Sequence, residues 1–252
     1  MNTFKEYAKF YDALYQDKNY HVEADYIDSL IKNYAPTARK VLDVGCGTGN
    51  HSIALAQQGY DVSGIDLSYD MVEFARKKMI AKSKESISFD VGDVRRLSSE
   101  VKYDVILLLF HVFDYITDPF DVNCVVKAIH GALAPGGICI LDFWHTPAVK
   151  ESSRELGFKE AQSDSYKIFR ISKTSFDFQL SLAKVKFLLF AESLSSNDIS
   201  KIEEQHTLRF YTQMEVVALF KDLFEVVTLR EWLSTDSPTE KTFSVCLVLR
   251  KK

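Results

Sequence analysis

The stretch Val41–Gly49 constrains the fold of this chain more than any other segment. An apolar run, Val41–Val44, leads into three glycines at alternate positions, and residues of helical character follow. Glycine lets a backbone turn sharply and approach a ligand closely, and the next helix points its N-terminal amides at that ligand. A dinucleotide fingerprint would need glycine where Asn50 stands, and a phosphate loop would need Gly-Lys-Ser/Thr. The stretch therefore predicts a nucleoside-binding turn between a strand and a helix.

Strand and helix patterns alternate from residue 40 onward. Short apolar runs predict strands over Lys40–Val44, Asp61–Ile65, Ser86–Val91, Tyr103–Phe110 and Ile138–Phe143, with a turn at Pro135–Gly137. Capped or periodic segments predict helices over Asn50–Gln58, from Ser68 to about Ala81, and from Asp118-Pro119 onward, the last burying Val122, Val125, Val126, Ile129 and Leu133. This alternation is typical of an α/β fold with a doubly wound, mostly parallel sheet.

We expect four parts along the chain. They are an N-terminal helical lid (1–35), a cofactor-binding core (36–145), an antiparallel acceptor-binding insertion (146–211), and a final helix with a β-hairpin of the core sheet (212–252). The first part carries an aromatic stripe that suits a lid over the ligand or a helix packed on the surface. The insertion alternates polar and apolar positions over 163–211 around the loop Ser193–Ser200. A capping box at Thr212–Glu215 opens the final helix, and strands follow at Leu223–Leu229 and Thr242–Leu249.

Composition limits the classes of partner. The net charge of −4 argues against a nucleic-acid partner, since a phosphate-backbone binder normally carries a basic face. No segment is long and apolar enough for a signal peptide or a membrane span, so we expect no membrane partner and a cytoplasmic location. The four cysteines lack the paired spacing of a zinc site, and we expect buried thiols and no metal.

Candidate ligand-binding residues follow several predicted strands. In open α/β sheets, ligands lie beyond the carboxyl ends of the strands. Asp66 follows the second strand and can accept hydrogen bonds from both ribose hydroxyls, while Asp93 follows the third and can accept from an adenine amino group, with the Val94 amide beside it. The fourth strand leads into Leu109–Tyr115. Together with the glycine turn, these positions predict a site for S-adenosylmethionine and a methyl transfer.

The same motifs resemble those of the class I S-adenosylmethionine-dependent methyltransferases. The chain is most similar in pattern to the deoxysugar N-methyltransferases, which methylate the amine of a nucleotide-linked aminosugar. The matching segments are Tyr11-Asp12, Lys18–Tyr20, Asp43–Gly49, Asp66–Ser68, Gly92–Arg95, Arg170, and His206 followed by Tyr211-Thr212. The resemblance implies a seven-stranded core sheet of order 3-2-1-4-5-7-6 with the seventh strand antiparallel, and a homodimer as a possible assembly.

The resemblance also implies roles for individual residues. Tyr11 and Tyr20 would close over the cofactor, and Tyr115 would lie beside the acceptor amine. The expected cofactor-binding residues are Tyr11, Tyr20, Gly45, Cys46, Gly47, Gly49, Asp66, Leu67, Met71, Asp93, Val94 and Leu109. The expected acceptor-binding residues are Tyr15, Trp144, Arg170, His206, Arg209 and Tyr211, and the arginines would hold a phosphate or carboxylate of the acceptor.

The chain departs from the family pattern at two places. Asp142-Phe143-Trp144 stands where the family has Glu-Pro-Trp, and His111–Asp114 replaces the small residues usual after Phe110. Both changes touch the expected acceptor pocket. An alcohol acceptor would need a general base of near-neutral pKa, for which His111 is the candidate in the Leu109–Tyr115 segment.

We therefore expect a methyltransferase for the amine of a small polar metabolite, with Tyr115 and His111 as catalytic residues. The alternatives are a small-molecule O-methyltransferase with His111 as base, and a sensor that binds the cofactor without turnover. The segment Leu109–Tyr115 lacks the Asp/Asn-Pro-Pro-aromatic turn of nucleic-acid amino-methyltransferases. Asp142 alone is a weak indication of a magnesium-dependent, catechol-type enzyme.

Overall fold

A computed structural model describes residue 4 and residues 6–80, 86–98, 100–151 and 156–252. Within these ranges the helices are α1 (Ala8–Leu14), α2 (Tyr20–Tyr34), α3 (Asn50–Gln57), α4 (Tyr69–Ile80), α5 (Pro119–Ala132), α6 (Thr146–Glu151) and α7 (Gln213–Phe220). The strands are β1 (Lys40–Val44), β2 (Asp61–Asp66), β3 (Ile87–Val91), β4 (Tyr103–Leu108), β5 (Leu133–Trp144), β6 (Leu156–Gln162), β7 (Tyr166–Asp177), β8 (Leu182–Ser193), β9 (Ile199–Arg209), β10 (Phe224–Glu231) and β11 (Ser244–Lys251).

Seven strands form the main sheet in the order β10-β11-β5-β4-β1-β2-β3. The pairs of β1 with β2 and β4, of β2 with β3, and of β4 with β5 are parallel. β11 runs antiparallel to both β5 and β10. The predicted fold class and strand order are therefore confirmed, with β10 and β11 as the sixth and seventh strands of the core. The order reverses at β1, so the carboxyl ends of β1 and β4 open a crevice there.

The main sheet is covered by helices on both faces. Neighbouring residues of β1 point to opposite sides, because side chains alternate along a strand. Leu42 packs with α5 and α7 in one buried cluster, and Val41 packs with α2 and α3 in another. The predicted buried face of α5 is confirmed, since Val122, Val125, Val126 and Ile129 are all buried.

A second sheet of four antiparallel strands, β6-β7-β8-β9, follows α6 in the chain and precedes α7. Helix α1 packs Phe10 and Leu14 against this sheet together with its N-cap residue Tyr7, and they meet Ile168 and Leu189 there. The predicted antiparallel segment before the last helix is thus confirmed, and it begins with β6 rather than at residue 163. The described helices include none long and apolar enough to cross a membrane.

Several predicted boundaries differ from the structure. β4 ends at Leu108 rather than Phe110, because Phe110 and His111 both adopt positive φ angles and leave the sheet. β5 begins at Leu133, so Pro135–Gly137 lies inside a strand where a register shift loops it away from β4. Helix α6 was not predicted. The predicted helix end at Ala81 lies outside the described residues.

Candidate active site

A cavity of about 1080 Å³ lies at the carboxyl ends of the core strands. Residues after β1, β2, β3 and β4 form one side of it, and α1 and the second sheet form the other. The insertion was expected to bind the acceptor, and its strands β7, β8 and β9 do contribute residues to the cavity wall. The cavity brings together most of the residues that the sequence singled out.

The glycine turn adopts a backbone that other residues disfavour. Gly45, Gly47 and Gly49 have φ angles of 68°, 55° and 79°. A Cβ at Gly45 would lie 2.5 Å from a methyl carbon of Val112, so Gly45 is required for close packing. A Cβ at Gly47 would meet nothing within 4 Å, and Gly47 lines the cavity. The turn therefore leaves an open cradle in which a ligand can approach the backbone.

Asp66 holds the glycine turn from the end of β2. Its two carboxylate oxygens accept the backbone N–H groups of Gly47, at 2.9 Å, and Ser68, at 2.8 Å. Burial raises the pKa of Asp66 above its ordinary value. Each oxygen retains a lone pair, so the carboxylate can still accept two ribose hydroxyls.

Asp93 is held by Arg95, which belongs to the matching segment Gly92–Arg95 but had no expected role. Arg95 contacts both oxygens of Asp93, with its terminal nitrogen at 2.7 Å, and also reaches Asp121 at 2.6 Å. The Arg95 hydrogen bonds lower the pKa of Asp93, so it remains a carboxylate. Val94 lines the cavity beside this pair, as do Leu67, Met71 and Leu109. Leu67 is exposed, and Met71 and Leu109 are buried.

Helix α1 is bonded directly to the glycine turn. Asp12 accepts hydrogen bonds from the Thr48 hydroxyl at 2.6 Å, the Asn50 amide at 3.0 Å and the Lys78 ammonium at 2.9 Å. This arrangement places Tyr11 and Tyr15 of the N-terminal segment in the cavity wall. The sequence motif contained Asp12, but its partners could be identified only from the structure.

Tyr20 offers a free group to a ligand. Its hydroxyl is buried, forms no well-aligned hydrogen bond within the described residues although the Asn50 side chain lies beside it, and belongs to a side chain that lines the cavity. An unsatisfied buried hydroxyl is unfavourable, and a ligand in the cavity can supply the missing partner. The open cradle at Gly47, the Asp66 carboxylate and this hydroxyl together fit S-adenosylmethionine.

His111 lines the cavity beside a buried carboxylate. Its Nδ1 atom is 2.8 Å from Oδ2 of Asp142, off the line of a well-aligned hydrogen bond, and 3.9 Å from Asp114. Its backbone N–H donates to the other oxygen of Asp142 at 3.1 Å. Trp144 lines the cavity with its ring centroid 5.8 Å from that of His111.

Tyr115 belongs to a second polar chain in the cavity wall. Its hydroxyl lies 3.0 Å from Nδ1 of His206, and Nε2 of His206 lies 3.2 Å from a carboxylate oxygen of Glu204. The same oxygen accepts the backbone N–H of Phe4 at 3.1 Å. Although 39% of the Tyr115 surface is exposed, desolvation of its hydroxyl within the cavity raises its pKa, and the hydroxyl stays protonated at neutral pH. Sequence reasoning missed Glu204, although its position two residues before His206 on an alternating strand places both side chains on one face.

Four of the expected site residues do not line the cavity, namely Gly49, Arg170, Arg209 and Tyr211. Gly49 is the N-cap of α3 and packs under Phe89. Arg170 donates to the hydroxyls of Tyr7 and Tyr15, at 2.8 and 3.0 Å, and so acts on the cavity through these tyrosines. Tyr211 is part of the hydrophobic core, with Arg209 over its ring. The cavity contains Phe4 and Phe187 instead, which the sequence did not single out.

Comparison with known proteins gives the family context. Residues 41–137 match the family model described as a methyltransferase domain. The dTDP-3-amino-3,4,6-trideoxy-alpha-D-glucopyranose N,N-dimethyltransferase of Streptomyces venezuelae is 29% identical over 144 residues, which are 56% of this chain and 59% of that protein. The dTDP-3-amino-3,6-dideoxy-alpha-D-glucopyranose N,N-dimethyltransferase of Streptomyces fradiae is 24% identical over 217 residues, 85% of this chain and 82% of that one. The chain thus spans under two thirds of the first relative and most of the second.

Solved structures share the whole architecture. An S-adenosylmethionine-dependent methyltransferase from Clostridium acetobutylicum ATCC 824 has a TM-score of 0.83 at 20% identity, covering 99% of both chains. The amino pentose methyltransferase CalS10 from Micromonospora echinaspora, solved with S-adenosylmethionine bound, has a TM-score of 0.75 at 22% identity, covering 99% of this chain and 98% of that one. Residues 41–137 therefore match a methyltransferase domain, and the chain shares the fold of these S-adenosylmethionine-dependent methyltransferases.

Proposed function

We propose that this protein transfers a methyl group from S-adenosylmethionine to the amine of a small polar metabolite, most specifically an aminosugar linked to a nucleotide. The observation that carries the proposal is the single cavity in which the glycine turn and Asp66 face the Tyr115 and His111 side chains. The aminosugar is supported by the names of the relatives from Streptomyces, which are N,N-dimethyltransferases of dTDP-aminosugars.

The cofactor half of the site would be built from the strand ends. We assign the ribose to Asp66, the adenine to Asp93 and Val94, and the methionine part to the cradle of Gly45, Cys46 and Gly47. Leu67, Met71, Leu109, Tyr11 and Tyr20 complete this half, all of them in the cavity wall. When bound, S-adenosylmethionine supplies an electrophilic methyl group on a sulfonium that already has a good leaving group.

The protein's main task is then to orient the acceptor and exclude water. Tyr15, Tyr115, Trp144 and Phe187 give the acceptor half aromatic walls, which suit the apolar faces of a sugar ring. We propose that α1 and the residues around it act as a lid, because Asp12 bonds α1 to the glycine turn and Arg170 holds Tyr7 and Tyr15.

The charge of the cavity favours a cationic acceptor. Its lining contains one arginine among the described residues, Arg95, which is paired with two carboxylates. Against it stand six aspartates, at positions 43, 66, 70, 93, 118 and 121. This excess of acidic groups suits a sulfonium and an alkylammonium better than a diphosphate. We therefore place the nucleotide part of the acceptor at the mouth of the cavity and its amine inside.

A second candidate function is methylation of a hydroxyl on a small metabolite. The short distance from His111 to Asp142 favours it, because an alcohol needs a general base and a carboxylate beside Nδ1 strengthens an imidazole base. The third possibility, a sensor without turnover, would use the same cofactor residues.

An acceptor panel separates these functions. The purified protein would be incubated with S-adenosylmethionine and dTDP-linked sugars that carry either an amino or a hydroxyl group at the same carbon. Mass spectrometry would measure methylated sugar and S-adenosylhomocysteine. We expect product from the amino sugars. Product from the hydroxyl sugars alone would favour O-methylation, and binding of S-adenosylhomocysteine without any product would favour the sensor.

A further inference from the structure

The two departures from the aminosugar methyltransferase pattern meet in space. His111 follows β4 and Asp142 lies in β5, yet Nδ1 and Oδ2 are 2.8 Å apart. The backbone N–H of His111 donates to Asp142 as well, and Ser244 donates its hydroxyl hydrogen to the same carboxylate at 3.1 Å. Asp142 keeps a carboxylate on a side chain one carbon shorter than the glutamate of the pattern, and His111 replaces a small residue. Their contact points to one joint role.

The backbone at His111 is strained. Phe110 and His111 have φ angles of 60° and 66°, in the left-handed region that bulky residues disfavour. Such conformations persist only where surrounding contacts hold them, and they concentrate at functional sites. At His111 the holding contact is Asp142, which binds both the backbone N–H and the ring.

The negative charge beside His111 belongs to Asp142. Burial alone would raise the pKa of Asp142, but the His111 ring and the hydrogen bonds from His111 and Ser244 lower it below its ordinary value. Asp114 lies farther from the ring, and burial raises its pKa well above the ordinary value. The ionised carboxylate that contacts His111 is therefore that of Asp142, whereas Asp114 is a neutral group that lies farther from the ring.

We propose that His111 removes the acceptor's proton through Nε2 and that Asp142 positions the ring and stabilises the imidazolium; this rests on the proposed methyl transfer. The acceptor class is then one that enters with a proton to lose, either an alkylammonium or a hydroxyl. The N–H or O–H electron pair stays on the acceptor atom as a lone pair, and a new N–H bond forms at Nε2. His111 is the catalytic residue in this step, and Asp142 is a positioning residue.

A smaller cavity of about 170 Å³ gives the proton a way out. Phe110 and His111 line both cavities, whereas Asp142 and Ser244 line the smaller one with the charged pair Lys18 and Glu23. A water molecule takes up about 30 Å³ in the liquid, so this space has room for several. His111 thus separates the acceptor from a polar cavity that can take the proton away.

The other histidine of the acceptor side is unsuitable as the base. Both ring nitrogens of His206 have partners, Tyr115 on one side and Glu204 on the other, and the residue is buried. The Tyr115 hydroxyl, with its raised pKa, is also a poor proton acceptor. By contrast, Nε2 of His111 has no hydrogen-bond partner in the described part of the chain.

The test compares His111→Asn, Asp142→Asn and the control Asp114→Asn. Asparagine suits position 111 because it tolerates positive φ. The first readout needs no acceptor: ¹⁵N NMR of histidine-labelled protein saturated with S-adenosylhomocysteine reports which ring nitrogen of His111 carries the proton. We expect Nδ1–H in the native protein and in Asp114→Asn, and a shift toward Nε2–H in Asp142→Asn.

The second readout is methyl transfer to paired dTDP-linked amino and hydroxyl sugars as a function of pH. General-base catalysis contributes about 10²–10⁴-fold, so we expect a loss of that order in kcat for His111→Asn. Asp142→Asn should lose at least about tenfold in kcat, Asp114→Asn less than about twofold, and cofactor affinity should not change. With the amino sugar, both weakened variants should recover as pH rises, because the alkylammonium then loses its proton to the solvent; with the hydroxyl sugar, no such recovery is expected.

The outcomes distinguish a failure of the proposed role of His111 and Asp142 from a failure of the proposed methyl transfer. An Nε2–H tautomer in the native protein, or full activity of His111→Asn, would overturn the role of the pair even if methyl transfer is established. A different result is also informative. If neither sugar is methylated, but the native protein has the Nδ1–H tautomer and Asp142→Asn loses it, the proposed acceptors are refuted and the pairing of His111 with Asp142 remains supported. Whichever of the two sugars is methylated, the amino or the hydroxyl sugar, identifies the class of acceptor.

Discussion

At the scale of single residues, substitution of Gly47 best distinguishes an effect on protein stability from an effect on ligand binding. Gly47 and Gly59 both have positive φ, and a Cβ at either would meet nothing within 4 Å. Alanine in this conformation is destabilising by about 1–2 kcal/mol at each position. We expect Gly47→Ala, whose Cβ borders the cavity, to weaken S-adenosylhomocysteine binding at least about tenfold in titration calorimetry. Gly59→Ala should show the same loss of stability with unchanged affinity, and equal affinities in the two variants would contradict the assignment.

The Tyr20 hydroxyl should matter only when ligand is present. Tyr20→Phe removes a buried group without a well-aligned hydrogen bond, so the ligand-free protein should keep its thermal stability. Cofactor affinity should fall by the value of one hydrogen bond, about 0.5–1.5 kcal/mol. Tyr60→Phe is the matched control, because the Tyr60 hydroxyl donates to Asp28 at 2.8 Å and is not part of the cavity lining. It should lose stability and keep affinity, and the reverse pattern would argue against a ligand contact at Tyr20.

The residues predicted most accurately from the sequence are those fixed by local geometry. Gly45, Gly47 and Asp66 occupy a strand–turn–helix unit whose conformation follows from spacing alone, and the structure brings them to one cavity. The pairing of His111 with Asp142 spans 31 residues and depends on the register between β4 and β5. Nothing in either local pattern reports that register, so the contact could be found only in the structure.

At the scale of elements, the bond between α1 and the glycine turn should control access to the cavity. Asp12→Ala would leave the buried Thr48 hydroxyl without its partner, with an expected loss of about 1–3 kcal/mol in stability. We expect faster hydrogen exchange over Ala8–Leu14 and faster cofactor dissociation. The control is Asp17→Ala, which removes only an exposed pair with Lys159. Similar exchange in the two variants would contradict the lid.

The type of a helix or strand could be predicted where one burial pattern runs through the whole segment. The predicted ends of these elements were wrong where tertiary contacts extend or shorten them. The β1 range agrees with its prediction because a strand covered on both faces is rich in apolar residues, here Val41, Leu42 and Val44. Pro135–Gly137 indicated a turn, but pairing between Tyr103 and Leu133 extends β5 past it. The aromatic stripe of α1 was ambiguous because its partner, the second sheet, lies far along the chain.

At the scale of the whole molecule, buried carboxyl groups should set the pH dependence of stability. Burial raises the pKa of Asp43, Asp66 and Asp114. The folded state then keeps protons that the unfolded chain has released, so stability falls as pH rises above the ordinary carboxyl pKa. Asp114→Asn should remove its share of this loss. Thermal unfolding between pH 4 and 8 should therefore show a flatter decline in the variant, whereas parallel curves would contradict the burial of a neutral Asp114.

The central claim is that the glycine turn and Asp66 bind the adenosyl cofactor at the carboxyl edge of the sheet. Titration calorimetry of S-adenosylhomocysteine into the purified protein and its Asp66→Ala variant tests it most directly. The structure predicts one site per chain with a Kd of about 1 μM or tighter, near −8 kcal/mol, and binding at least about tenfold weaker in the variant. No heat of binding in the native protein, or equal affinity in the two proteins, would contradict it.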